Sequence, residues 1–302
     1  YILILLPCFN MAYHRDRAWQ VFAAISVAAL MISFLMDFGI LGLNKHGDPS
    51  FKGRITHSIF IGFFAFYCMH KSYSGGRYAL LYLFGFCVSL YNVFFVVQGR
   101  TGQLIIVLLI LLFGLQRLSK KYVLGLILLL SLFLGLFANF SEKADRIHAG
   151  INYTQNYFES GAESLDSMSQ RYTFWKYSFQ LMAERPWFGH GTGSFSAAYE
   201  RVAKGEFVMT VNPHNEFLMI GVQLGLFGLL FYLGFLISIL VYAQKLPNQE
   251  KWLAQGLWVC LVTTSLFNSP LFDLAEGFWF ITMIALCFAS IQPKSPDSMT
   301  LC

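Results

Sequence analysis

Charge is scarce in this chain. Asp, Glu, Lys and Arg make up 12% of its 302 residues, while hydrophobic residues make up 56%. Soluble domains carry roughly 25% charged residues, so a water-soluble fold is excluded. Cysteine gives little: Cys8, Cys68, Cys87, Cys260 and Cys287 lie within apolar runs, Cys302 is the last residue, and no CxxC pair exists. That distribution supports neither a disulfide framework nor a zinc site. Period-2 alternation is missing, which argues against a membrane β-barrel, and no internal repeat stands out. His57, His148 and His190 have no ligand-like spacing, so no metal and no cofactor are expected. The net charge of +5 is spread over short segments between apolar runs, and a nucleic-acid partner is not expected either.

Long apolar runs are what the sequence has. A helix needs roughly 20 mostly apolar residues to cross about 30 Å of hydrocarbon, and lipid leaves the backbone no alternative partner. Candidate spans are 1–9, 19–38, 55–69, 78–97, 103–117, 122–138, 215–243, 253–268 and 272–290. The chain opens at Tyr1 inside an apolar run, so further amino-terminal spans are expected to be missing. The prediction is an all-α polytopic transmembrane bundle of about nine spans. Residues 1–302 form a single membrane domain, and 139–214 is one large, partly helical loop inserted between spans.

The short connections alternate in charge. One set holds Arg15, Arg17, Lys71, Arg77, Arg117, Lys120, Lys121, Lys245, Lys251 and Lys294; the other holds only Lys45, Lys52, Arg54 and Arg100. By the positive-inside rule the first set is cytoplasmic. The loop 139–214 then faces outward, into the periplasm of a Gram-negative cell.

Within that loop, RYTFWKYSFQLMAE reads as an amphipathic helix with Arg171, Trp175 and Ser178 on one face. Arg185 precedes Pro186, which ends the helix. The stretch PWFGHGTGSF follows, with Gly189, Gly191 and Gly193 permitting a tight turn. No strand precedes it, so a dinucleotide site is rejected. In VNPHNEFLMIGVQLGLFG, Asn212 reads as a helix cap, Pro213 as its first position and His214 as part of the first turn. The positive helix end would lower the His214 pKa and favour nearby anions. This segment alone does not separate a structural histidine from a catalytic one. Arg100, in a short outward turn, either snorkels or serves a partner. Arg54 and Arg171 add to a potential cationic site, since the arginine fork binds phosphate oxygens bidentately. Asp273 and Glu276, just inside the last span, read as helix-start residues.

Three segments together resemble the bacterial O-antigen ligase/polymerase superfamily, inner-membrane glycosyltransferases of the GT-C type. They are Arg100 in QGRTG, Arg171-x3-Trp175 continuing into ERPWFGHGTGSF, and HNEFLMIGVQLGLFG. The last fits H-[NSQ]-x9-G-x2-[GTY] with His214, Asn215, Gly225 and Gly228. The resemblance extends from about Arg54 to the end of the chain. It implies a multi-pass inner-membrane enzyme that moves a glycan from undecaprenyl diphosphate to a hydroxyl of lipid A–core at the periplasmic face. It further implies inversion of the anomeric centre without metal. His214 would be the general base, with Arg100 and Arg171, joined by Arg54, holding the donor diphosphate. Asn215, Trp175, Gly225 and Gly228 would support them. An O-antigen polymerase and a protein O-oligosaccharyltransferase are the rival readings within the superfamily. A transporter or flippase is the rival outside it, disfavoured because the span centres carry almost no charge.

Overall fold

A computed structural model describes residues 12–141, 145–160, 167–204 and 209–291. The first expected span, 1–9, lies outside these residues. Among the described residues every regular element is helical and there is no strand. In chain order the helices are α1 (Ala12–Asp37), α2 (Arg54–Tyr73), α3 (Ala79–Tyr91), α4 (Arg100–Arg117), α5 (Lys120–Phe140), α6 (Asp145–Ser160), α7 (Ser167–Glu184), α8 (Phe195–Val202), α9 (Glu216–Ala243), α10 (Asn248–Phe267) and α11 (Leu274–Phe288). A single π turn, Asn92–Val96, continues α3.

Five stretches are long and apolar enough to cross a membrane: Tyr13–Asp37, Ala79–Val96, Arg100–Arg117, Lys120–Phe140 and Glu216–Ala243. Leu274–Phe288 is apolar but shorter. Helices α2 and α10 have the length, at 20 residues each, yet are too polar to join the five. Their position explains this. Helix α2 packs against α1, α3, α4 and α10, so its surface meets protein and can bury Thr56, His57, Ser58 and His70. Helix α5 is the opposite case. It is Leu-rich all round and buries only Phe137, the pattern of a helix surrounded by hydrocarbon.

Helix contact in such a bundle depends on close packing more than on hydrophobic burial. Gly102 of α4 illustrates it: a Cβ there would lie 2.0 Å from the Ser58 Cβ. The main core runs through Ile59, Phe63 and Phe66 of α2, Ile105 and Leu109 of α4, Leu257 of α10 and Phe280 of α11. A second, smaller cluster joins Phe174 and Leu181 of α7, Phe195 and Tyr199 of α8, and Met219 and Val222 of α9. This cluster fastens the inserted helices onto the first turns of α9.

The π turn begins on a buried polar residue. Asn92 is fully buried; its Oδ1 is 2.9 Å from His57 Nε2, and its Nδ2 donates to Ser33 Oγ at 2.9 Å. Asn92 thereby ties α3 to α1 and α2. The chain then turns at Gly99 and starts α4 on Arg100.

Candidate active site

Helices α4, α6, α7 and α10 line an open cavity of about 370 Å³, with Arg100, Leu104, Gly150, Thr154, Arg171 and Phe267 among its lining residues. Among the described residues no acidic residue lines it. Arg100 sits in the first turn of α4, and its Nη2 donates to Ser167 Oγ at 2.9 Å. Its Nη1 lies so close to α6 that a Cβ on Gly150 would come within 2.1 Å of it. Arg171 is the second cation. Burial, and then the like charge of Arg100, lower its pKa to about 10, so it stays protonated at neutral pH. Two guanidiniums held together in a partly apolar cavity repel one another, and an anion with several oxygens would relieve that repulsion.

Helix α7 explains why arginine and tryptophan occur four residues apart. Arg171 faces the cavity, while the Trp175 indole N–H donates to the Pro213 carbonyl at 3.0 Å. Phe174, between them, stacks on the His214 ring with centroids 6.3 Å apart. One helix therefore places a cation and also holds the segment that bears the histidine.

His214 differs from its expected setting. It is not in the first helical turn, because the N-cap is Asn215, whose side chain accepts from Leu218 N at 3.0 Å. His214 precedes the cap at φ 52, the one non-glycine residue with positive φ among the described residues. Asn212 does not cap the helix. Its Oδ1 accepts from the His214 backbone N–H at 2.7 Å and from Ser269 Oγ at 2.9 Å, fixing the turn. The His214 pKa is lowered as expected, but burial is the first cause and the charge of Arg171 the second; a hydrogen bond to Asn268 partly opposes them. Asn215 also donates from Nδ2 to the Leu266 carbonyl at 3.1 Å, joining the start of α9 to the end of α10.

The glycines of the motif shape the backbone. Gly225 breaks α9 at φ 64, ψ −157. The turn after α7 supplies the hydrogen bonds the break removes. Leu226 N donates to the Pro186 carbonyl at 2.7 Å, while His190 N and Gly191 N donate to the carbonyls of Val222 (2.9 Å) and Gln223 (2.8 Å). Gly189, Gly191 and Gly193 all have positive φ, as that turn requires. At Gly228 a Cβ would lie 2.2 Å from the Leu224 Cβ. Gly225→Ala would place its Cβ 2.5 Å from the Trp187 carbonyl and force alanine into left-handed backbone. A loss of about 2 kcal/mol or more is expected, read as a lowered unfolding midpoint in detergent. An unchanged midpoint would refute the docking.

Arg54 stands apart from the cavity: its Nε pairs with Asp48 Oδ2 at 3.3 Å, and it is not a lining residue. Asp273 takes the expected helix-start role, accepting from Ala275 N and Glu276 N and pairing with Lys52. Glu276 does not. It is 1% exposed and accepts from Thr56 Oγ1 (2.7 Å) and Asn268 Nδ2 (3.1 Å). Asn268 Oδ1 in turn is 3.3 Å from His214 Nδ1. Sequence reasoning missed Asn268 and this use of Glu276. The available signal was an ionisable residue just inside an apolar helix.

The sequence model for O-antigen ligase matches residues 83–233, half of the chain. The matched stretch contains Arg100, Arg171, Trp175, His214, Asn215, Gly225 and Gly228, and leaves out Arg54, Asn268 and Glu276. No curated protein matches the chain.

Proposed function

The chain belongs to the O-antigen ligase family, and from that premise we propose that it transfers a glycan from undecaprenyl diphosphate to a hydroxyl of lipid A–core. The reaction takes place on the outer face of a bacterial inner membrane, at the end of the bundle where α6 to α8 are inserted. His214 removes the proton from the acceptor hydroxyl, and the freed oxygen attacks the anomeric carbon of the donor. The bond from that carbon to the diphosphate oxygen breaks, its electron pair leaves with the diphosphate, and the configuration inverts. Arg100 and Arg171 hold the diphosphate and take up its growing charge, the largest kind of contribution preorganised cations make.

One observation carries this reading: a cavity lined by two arginines, bounded by the same helix that packs on His214. In this reading the two cations supply the charge stabilisation that a divalent ion supplies elsewhere. A lipid-linked donor accounts for the apolar share of the lining. Arg54, paired with Asp48 outside the cavity, is not assigned to the diphosphate.

Reconstitution with a lipid-linked glycan and three separate acceptors tests the proposal: lipid A–core, a second lipid-linked glycan and a pilin-like protein. Labelling of lipid A–core is expected, at a rate unchanged by chelation. Labelling of the second glycan makes the protein a polymerase, and labelling of the pilin makes it a protein glycosyltransferase. No transfer to any acceptor rejects the reading.

A further inference from the structure

The matched stretch ends at residue 233, yet the polar contacts of the histidine reach residues beyond it. They run from His214 on the α9 side through Asn268 at the end of α10 to Glu276 of α11, and on to Thr56 of α2. The order of donors along this line is not free. Both Glu276 carboxyl oxygens accept, Oε1 from Thr56 Oγ1 and Oε2 from Asn268 Nδ2, so Asn268 turns its amide nitrogen toward Glu276. The amide oxygen is then left facing the ring. An amide oxygen also only accepts, so His214 Nδ1 must carry the proton. Nε2 is thereby left bare.

We propose that Glu276, acting through Asn268, is a positioning residue that sets the tautomer of His214 and presents Nε2 as its basic nitrogen. The inference deepens the general-base reading and rests on it for its catalytic meaning, although the tautomer stands on geometry alone. A neutral histidine has two tautomers of similar energy, and the partner of one ring nitrogen decides the role of the other. Asn268 by itself would not decide it. An amide that flips offers Nδ2 to the ring and favours the tautomer with the proton on Nε2, which cannot act as a base there. The buried carboxylate prevents that flip, and the Thr56 hydroxyl, donating to its other oxygen, keeps the carboxylate in place. Glu216 is not part of the line: its Oε2 accepts from Leu271 N at 3.1 Å. The charges bearing on His214 are Arg171 from α7 and, through Asn268, Glu276 from α11.

Nitrogen-15 spectra of histidine-labelled protein in lipid bilayers read the tautomer directly, with His214→Asn assigning the resonances. The unaltered protein is expected to show protonated Nδ1 and bare Nε2. Glu276→Gln, whose amide oxygen can still accept from Asn268, is expected to keep that spectrum. Glu276→Leu is expected to give a mixture or the Nε2–H form, with kcat at least about tenfold lower and the donor KM unchanged. If that variant fails to fold, Asn268→Leu removes the same acceptor from Nδ1 and is read instead. A proton on Nε2 in the unaltered protein, or a spectrum that neither leucine variant changes, overturns the proposal. The expected tautomer in a protein that transfers no glycan would sink the functional reading and leave this one standing.

Discussion

Replacing His214 with asparagine is expected to lower kcat for glycan transfer by about 10²–10⁴-fold, the share a positioned base supplies, with the protein still folded in the membrane. Asparagine is the informative choice. The residue sits at φ 52, where asparagine is tolerated better than alanine, so the variant separates lost chemistry from backbone strain. The pH profile of the unaltered protein gives an independent check. A general base works unprotonated, so activity falls as pH drops through its pKa. Burial first, and the Arg171 charge second, hold His214 below its ordinary value of 6.5. The acid limb of kcat should therefore lie below 6.5 and activity should persist into mildly acidic conditions. Near-normal transfer by His214→Asn, or a limb above 6.5, would remove His214 as the base.

Removing either cavity arginine should act on the donor. Arg100→Met or Arg171→Met is expected to reduce kcat by about 10²–10³-fold and to weaken the lipid diphosphate, while the acceptor KM changes little. Arg171→Lys should recover only part of this, because an ammonium retains the charge and loses the planar fork. Gly150 offers a route that leaves both arginines in place. Leucine there would occupy the position of the Arg100 Nη1, and the expected outcome resembles Arg100→Met in kind though not in size. Kinetics with donor and acceptor varied separately decide the matter. Unchanged donor use in both methionine variants would end the diphosphate role.

Much of this arrangement is legible in the sequence. Charge scarcity and the long apolar runs identify a membrane protein without any family knowledge, and Pro186 marks the end of α7. The apolar runs 55–69 and 253–268 read as spans in the sequence, yet α2 and α10 are not among the five stretches long and apolar enough to cross a membrane. A helix that meets protein more than lipid is free to be polar. Local capping rules misplaced His214 by a turn. Asn212 and Asn215 are both good caps by type, and the choice between them is made by Ser269 and Leu266, which are remote in sequence. The same limit hid Asn268. An asparagine at a helix end has many uses, and only the packing of α10 and α11 beside α9 brings it to the histidine. Gly150 was illegible for a related reason: its importance lies in the arginine that approaches it from another helix.

The break at Gly225 bears on how the chain is assembled. It lies nine residues into α9, about 14 Å along the axis at 1.5 Å per residue, a depth at which lipid offers unpaired backbone groups no partner. The residues that close the gap, Pro186 to Gly191, are synthesised before this span. They must be in position when it enters the bilayer. The inserted helices are therefore a template on which the span finishes folding, and the same docking that completes the helix brings the two arginines and the histidine to one end of it.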